Sequence, residues 1–221
     1  MTLSLAEAYD RWAPVYPPAA HNPLMRVEQD ALVALLGELR GRDVLDLACG
    51  SGRYGEIAQS SGARSVVGID RSQAMLARAA IAARIRGELT QLPIRTAALD
   101  LVVSGLALGH AADLLACMRE IARVLRPNGS LVYSDFHDDA WRAGLTRSFK
   151  DAAGNGVTLP RDGYPVAQHR AALRAAGLRI EELRELRIGI EFAPLFDGSA
   201  DLYRQHRGVP LLLLVRARKE S

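Results

Sequence analysis

The 221-residue chain is poor in several things, and each scarcity narrows the field. It has two cysteines, Cys49 and Cys117, at no metal-like spacing, which argues against a disulfide framework and fits a reducing, cytoplasmic setting. It has no apolar run long enough to span a bilayer; the longest, "PLLLLV" near Leu211, reads as a buried strand. The opening "MTLSLAEAYDRW" carries acids and no apolar stretch, so it does not read as a secretory signal. Aromatic residues are 5% of the chain, too few for base-stacking platforms. Lysine occurs only at 150 and 219; the formal charge of +3 comes from arginines scattered along helical segments, with no basic stripe. Nucleic acid and membrane are therefore not expected as partners. Hydrophobic residues at 49% and charged residues at 24% suit a single globular domain spanning 1–221, as a monomer or homodimer.

What is present is alternation. "DVLDLA", "RSVVGID", "GELTQLP", "ALDLVVSGLAL" and "SLVYSDF" read as five strands. Helical patterns separate most of them: "RYGEIAQSSG", then "SQAMLARAAIAARIRG" with Ser72 as N-cap, then "ADLLACMREIARVL" closed by Pro127-Asn128-Gly129. Successive βαβ units imply a parallel sheet with helices on both faces. The first forty residues are helical in period, broken by Pro14, Pro17, Pro18 and Pro23; a helix runs from Leu24 to Leu39, with Gly41 as its stop. Residues 137–164 read as irregular, "PVAQHRAALRAAG" as a helix, and two late strands, "LRIEELRELRIGI" and "GVPLLLLVRARKE", as an antiparallel hairpin. The 191–207 connection between those strands is long for a compact domain, which marks it as functional or mobile.

The chemistry-bearing stretch is "DVLDLACGSGRYG", with Gly50-x-Gly52-x-x-Gly55 directly after a strand. Glycines there let the backbone turn tightly against a ligand at the carboxyl end of the strand, a device shared by NAD, FAD and S-adenosylmethionine (SAM) sites. Asp46, four residues before Gly50, is a liability beside a pyrophosphate and an asset beside an ammonium group. No Gly-Lys-Ser/Thr follows, which excludes the ordinary P-loop. Asp70 ends the second strand, where a carboxylate can accept both hydroxyls of a free ribose; NAD and SAM enzymes both use this.

The combination of that turn, Asp70, the acid before "LP" in "RGELTQLP", "LDLVVSG" and "EIARVLRPNGSLVYSD" resembles the class I SAM-dependent methyltransferases of the ubiquinone/menaquinone and malonyl-carrier O-methyltransferase type. The resemblance runs from Val44 to Asp135. It implies a Rossmann-like three-layer α/β sandwich with a seven-stranded, mostly parallel sheet, order 3-2-1-4-5-7-6, strand 7 antiparallel. It places Asp46, Ala48, Gly50 and Gly52 at the methionine end of SAM, Asp70 at the ribose flanked by Arg71 and Met75, and Glu88 and Leu89 at the adenine. Ser104 and Leu106 would face the cofactor. Tyr9, Trp12, Tyr16 and His21 resemble the family's N-terminal lid, within a helical region of about 1–40, and the segments at about 137–164 and 191–207 read as lid-like insertions.

Methyl transfer from SAM asks mainly for alignment and exclusion of water, with a base only if the acceptor must lose a proton. His137, with Asp135 beside it at the end of strand five, is the expected general base; His110 sits at a pocket edge or helix cap, and no metal is expected. His169 reads as surface or pocket wall, while His206 and Arg207 are candidates to meet an acidic substrate. The expected reaction is methylation of an oxygen or carbon on a small molecule in biosynthesis, releasing S-adenosylhomocysteine. The alternatives are carboxyl methylation of a carrier-bound acid, with Arg142, Arg147 and Lys150 toward the carrier, a nicotinamide oxidoreductase, and a SAM-binding protein that does not methylate.

Overall fold

A computed structural model of the chain describes residues 4–17, 19–160 and 163–220; Pro18 and residues 161–162 of the irregular segment lie outside the described residues. The chain opens with α1 (Leu5–Trp12), started by Ser4 and Glu7 in a reciprocal capping box. A 3-10 turn at Ala13–Val15 leads to α2 (Pro23–Leu36), where Asn22 caps by accepting the Met25 N–H at 2.9 Å and Pro23 occupies the first turn. The helix ends at Leu36 with Gly37 at φ +71°, four residues before the expected stop at Gly41.

The alternating part follows as β1 (Asp43–Leu47), α3 (Arg53–Ser60), β2 (Ser65–Asp70), α4 (Gln73–Leu76), β3 (Ala83–Arg86), β4 (Leu99–Gly105), α5 (Leu114–Val124) and β5 (Leu125–Phe136). Then come α6 (Asp138–Arg142), β6 (Ser148–Lys150), β7 (Gly156–Thr158), α7 (Val166–Ala175), β8 (Leu178–Arg187), α8 (Ala200–His206) and β9 (Pro210–Lys219). Seven strands make one sheet in the order β3-β2-β1-β4-β5-β9-β8. Pairing is parallel from β3 to β5, and β9 runs antiparallel to both β5 and β8. With the two-stranded ribbon β6–β7 set aside, this is the expected order, with the late hairpin at the edge.

Successive strand residues point to opposite faces, and both faces of the central strands are covered. Val44, Leu101, Val103 and Val132 pack toward α2 and α3, while Leu45, Val102, Leu131 and Tyr133 pack toward α5 and α7. A third cluster stands apart: Ala8, Tyr9 and Trp12 of α1 pack with Phe149, Val157 and Leu159 around the ribbon.

Three expectations need correction. The helix expected through "SQAMLARAAIAARIRG" stops at Leu76, and the third strand is Ala83–Arg86 instead of "GELTQLP". Tertiary packing overrides the alanine-rich helix propensity here. Ile81 is buried against Gly52, Gly55 and Gly68, where added Cβ atoms would meet its side chain at 3.1, 2.2 and 3.0 Å, and Arg84–Arg86 pair with β2. Residues 137–164 contain α6 and the ribbon, whose strands are three residues each, too short for alternation to register. The 191–207 connection holds a 3-10 segment, Ile190–Phe196, and α8.

Candidate active site

The carboxyl ends of β1, β2 and β4 open into a cavity of about 850 Å³, roofed by α1 and the ribbon. It lies where the strand order reverses around β1, the place open α/β sheets bind ligands. The turn after β1 needs its glycines: Gly50 has φ +53° and Gly52 φ +91°, and Ala48 also takes a positive φ of 54°. Asp46 is buried at the end of β1 and accepts the Gly55 N–H at 2.7 Å, tying the strand to the first turn of α3. Burial pushes its carboxyl up to about 7. Asp70 uses both oxygens locally, one accepting from Gly50 N and the other from Ser72 N, each at 2.8 Å. Burial raises its pKa, and these backbone bonds oppose the rise.

Most of the expected cofactor residues meet in this cavity. Asp46, Ala48, Gly50, Asp70, Arg71, Met75, Glu88 and Leu89 line it together, with Leu106 at the end of β4. Arg71 lies 3.7 Å from Glu88 at the exposed rim. Gly52 does not line the cavity; it caps α3 and is packed from behind by Ala79 and Ile81. Nor does Ser104: it lies on the α5 face of β4 by alternation, fully buried, with no hydrogen-bond partner for its hydroxyl among the described residues. The cavity-facing residues are its neighbours Gly105 and Leu106.

The expected lid residues also converge. Tyr9, Trp12, Tyr16, His21 and His110 all line the cavity. Trp12 stacks on Phe149 with ring centroids 4.4 Å apart and meets Tyr16 edge-on at 4.8 Å. Tyr9 meets His110 edge-on at 6.1 Å. Arg78 secures this strap to the sheet layer by donating to the Tyr16 carbonyl at 2.9 Å. Arg11 pairs with Asp151 at 3.1 Å, joining α1 to the ribbon.

The expected general base is displaced. His137 and Asp135 do not line the cavity. Asp135 alternates in step with Tyr133, and Tyr133 packs with the α5 and α7 layer. His137 caps α6, its Nδ1 accepting the Asp139 N–H at 3.1 Å, and Asp135 is buried, accepting the Phe136 N–H at 3.0 Å. Burial pushes the Asp135 carboxyl up to about 7. His169 is not at the surface; it is buried and bonds the Tyr133 hydroxyl at 3.0 Å. Arg142 pairs with Asp138 at 2.7 Å, away from the cavity, and Arg207 does not line it, whereas His206 does. Among the described residues no three His, Cys, Asp or Glu side chains are grouped to hold a metal, and no helix is long and apolar enough to cross a membrane.

Two residues carry more than their sequence context suggests. Glu28 is fully buried and accepts from Arg53 at 2.8 Å, the Tyr54 hydroxyl at 2.6 Å and the Ser134 hydroxyl at 2.5 Å, locking α2 to the turn and to β5. A carboxylate on the apolar face of α2, between Met25 and Leu32, is the signal that marks it. Arg147 reaches into the cavity, 3.4 Å from the Leu106 carbonyl, His110 Nε2 and the Tyr9 hydroxyl. Among the described residues it forms no ion pair with a carboxylate; the sequence offered it, with Arg142 and Lys150, as a contact for a carrier, and its place just before β6 turns it into the cavity instead.

These residues suit SAM. The turn offers two carboxylates, and the cations beside it, Arg53 and Arg71, lie against Glu28 and Glu88, so the local field favours a ligand with cationic groups and no phosphate. The fold and this acidic, glycine-lined turn define a Rossmann-like α/β protein for an adenosine-bearing ligand. Residues 45–133 match the family model described as a methyltransferase domain. A malonyl-(acyl-carrier protein) O-methyltransferase from Enterobacter lignolyticus is 34% identical over 196 residues, 78% of this chain and 77% of that protein. The crystal structure of a SAM-dependent methyltransferase from Mesorhizobium loti is 28% identical with a TM-score of 0.69, covering 87% of this chain and 97% of the other. The chain belongs to the class I SAM-dependent methyltransferases. The same fold, at a TM-score of 0.72 and 19% identity over 100% of this chain and 97% of the other, is that of the cyclase SpnF, a likeness of fold alone.

Proposed function

We propose that the protein transfers the methyl group of SAM to an oxygen or carbon acceptor on a small molecule in a biosynthetic pathway. Asp46, Ala48 and Gly50 would hold the methionine end, Asp70 the ribose, and Glu88 and Leu89 the adenine. When bound, SAM supplies an electrophilic methyl group. The protein's part is to align the acceptor and exclude water, which suits a cavity roofed by an aromatic strap.

The observation that carries this reading is the acceptor half of the cavity. It continues past the cofactor turn to Arg147, His110 and Tyr9 under the joined α1–ribbon cap. Burial, then Arg147 and Arg71, lower His110 to about 3, and burial raises Tyr16 to about 12, so neither serves as a base near neutral pH. An acceptor that arrives as an anion needs none. Arg147 therefore also supports the second reading, carboxyl O-methylation of a carrier-bound acid, which agrees with the name of the Enterobacter relative. Incubation with methyl-labelled SAM and a panel of acceptors tests the proposal. S-adenosylhomocysteine should form in proportion to labelled product; tight SAM binding without turnover on any acceptor would favour the non-methylating alternative.

A further inference from the structure

Charge and apolarity are segregated along the cavity. Among the described residues its lining carboxylates, Asp46, Asp70 and Glu88, all belong to the cofactor half. The acceptor half holds Arg147, in no ion pair among the described residues, beside the end of β4. Beyond it the wall is mostly apolar, with Leu24, Leu145, Ile188, Leu195, Phe196 and Leu211, and with His206 stacked on Phe196. The mouth continues this character. Among the described residues four large hydrophobic side chains stand out as exposed, and three line or adjoin this cavity. Val15 (41% exposed) and Leu202 (48%) line the cavity, and Ile190 (76%) adjoins the wall residue Ile188. Exposed apolar groups gathered at one opening mark a binding surface, whereas scattered ones mean nothing.

We propose that the acceptor is an amphiphilic carboxylic acid whose carboxylate meets Arg147 and whose apolar body fills the arm walled by Ile188, Leu195, Phe196 and Leu211. The proposal rests on the methyltransferase reading and names its substrate class. A guanidinium is matched to a carboxylate by two parallel hydrogen bonds. A cavity of about 850 Å³ is near the upper end of the usual range for ligand sites, roughly 300–1,000 Å³, which leaves room beside a cofactor. The chemistry closes without a base. A carboxylate oxygen forms the O–CH3 bond with its own electron pair, the S–CH3 bond breaks with its pair left on sulfur, and no proton has to leave. The methyl ester is neutral, so Arg147 loses its partner and the product is held less tightly than the acid.

The test is calorimetric titration of the protein saturated with S-adenosylhomocysteine, using acetate, octanoate, 1-octanol and malonate as probes. Octanoate should bind at least about tenfold more tightly than acetate, because only it fills the arm, and than octanol, because only it pairs with Arg147. Arg147→Gln should remove the preference of octanoate over octanol while S-adenosylhomocysteine still binds, which reports an intact fold. Octanoate that binds no better than acetate or octanol, an unchanged preference in R147Q, or malonate binding more tightly than octanoate would overturn the proposal. Failure of S-adenosylhomocysteine to bind at all would instead strike the methyltransferase reading beneath it.

Discussion

Replacing Asp70 by asparagine should weaken S-adenosylhomocysteine binding about 10- to 150-fold and leave the fold intact. The two Asp70 oxygens already accept backbone N–H groups from Gly50 and Ser72, each at 2.8 Å, so the carboxylate holds the glycine turn and, in the proposed role, would present its remaining lone pairs to the ribose. Asparagine keeps one acceptor and the side-chain volume but loses the charge, and its NH2 faces a second N–H donor. Hydrogen bonds to a charged group contribute about 1.5–3 kcal/mol, and each 1.4 kcal/mol is about tenfold in affinity. Alanine is the harsher comparison: it leaves both N–H groups without their acceptor, so its loss mixes turn disorder with lost ribose contacts. The assay is calorimetric titration of both variants with S-adenosylhomocysteine, paired with thermal unfolding in the absence of ligand. Affinity of Asp70→Asn within twofold of the parent, at equal thermal stability, would refute the ribose assignment.

Gly55→Ala should destabilise the protein by about 1–3 kcal/mol in denaturant titrations, because its Cβ would fall 2.2 Å from Ile81 Cδ1 and 3.3 Å from Asp46. His137→Ala should retain methyl transfer within a few-fold and lose about 1 kcal/mol of stability as its cap on α6 disappears; loss of turnover at unchanged stability would restore it as the base. The raised pKa of buried Asp135 disfavours the folded state once the unfolded chain ionises. Asp135→Asn should therefore match the parent near pH 4 and gain on it as pH rises toward 7, read as the difference in Tm across that window. Asp43 has the opposite sign. Arg64 first, with Ser65 and Arg126, holds its carboxyl well below the usual range, so its contribution is present above about pH 4 and fades below it. The parent's advantage over Asp43→Asn at pH 7 should shrink as acid unfolding is followed toward pH 2.

Much of the cofactor half was legible because its residues are contiguous and their geometry is local. A strand, a glycine turn with positive φ and an acid at the next strand's end are written within 28 residues, Asp43 to Asp70. Two cofactor expectations failed where side-chain direction decides. Gly52 and Ser104 sit beside true lining residues but face Ile81 and the α5 layer. The expected general base lies off the cavity for the same reason: the end of strand five was legible, but not which helix layer the side chains of Asp135 and His137 would meet. Ile81 illustrates the converse, a residue in a helix-favouring run drawn out of the helix by three glycines distant in sequence.

The amino-acid order alone therefore carried the α/β class, the glycine turn, the acid that ends the second strand and the late hairpin, since periodicity and turn chemistry act over a few residues. The acceptor compartment had no such signature. Arg147 meets Tyr9 and His110, Trp12 stacks on Phe149, and Glu28 binds Ser134 across 106 positions. Such contacts exist only after the sheet has closed and α1 has packed on the ribbon, because each depends on which face two remote elements present to one another.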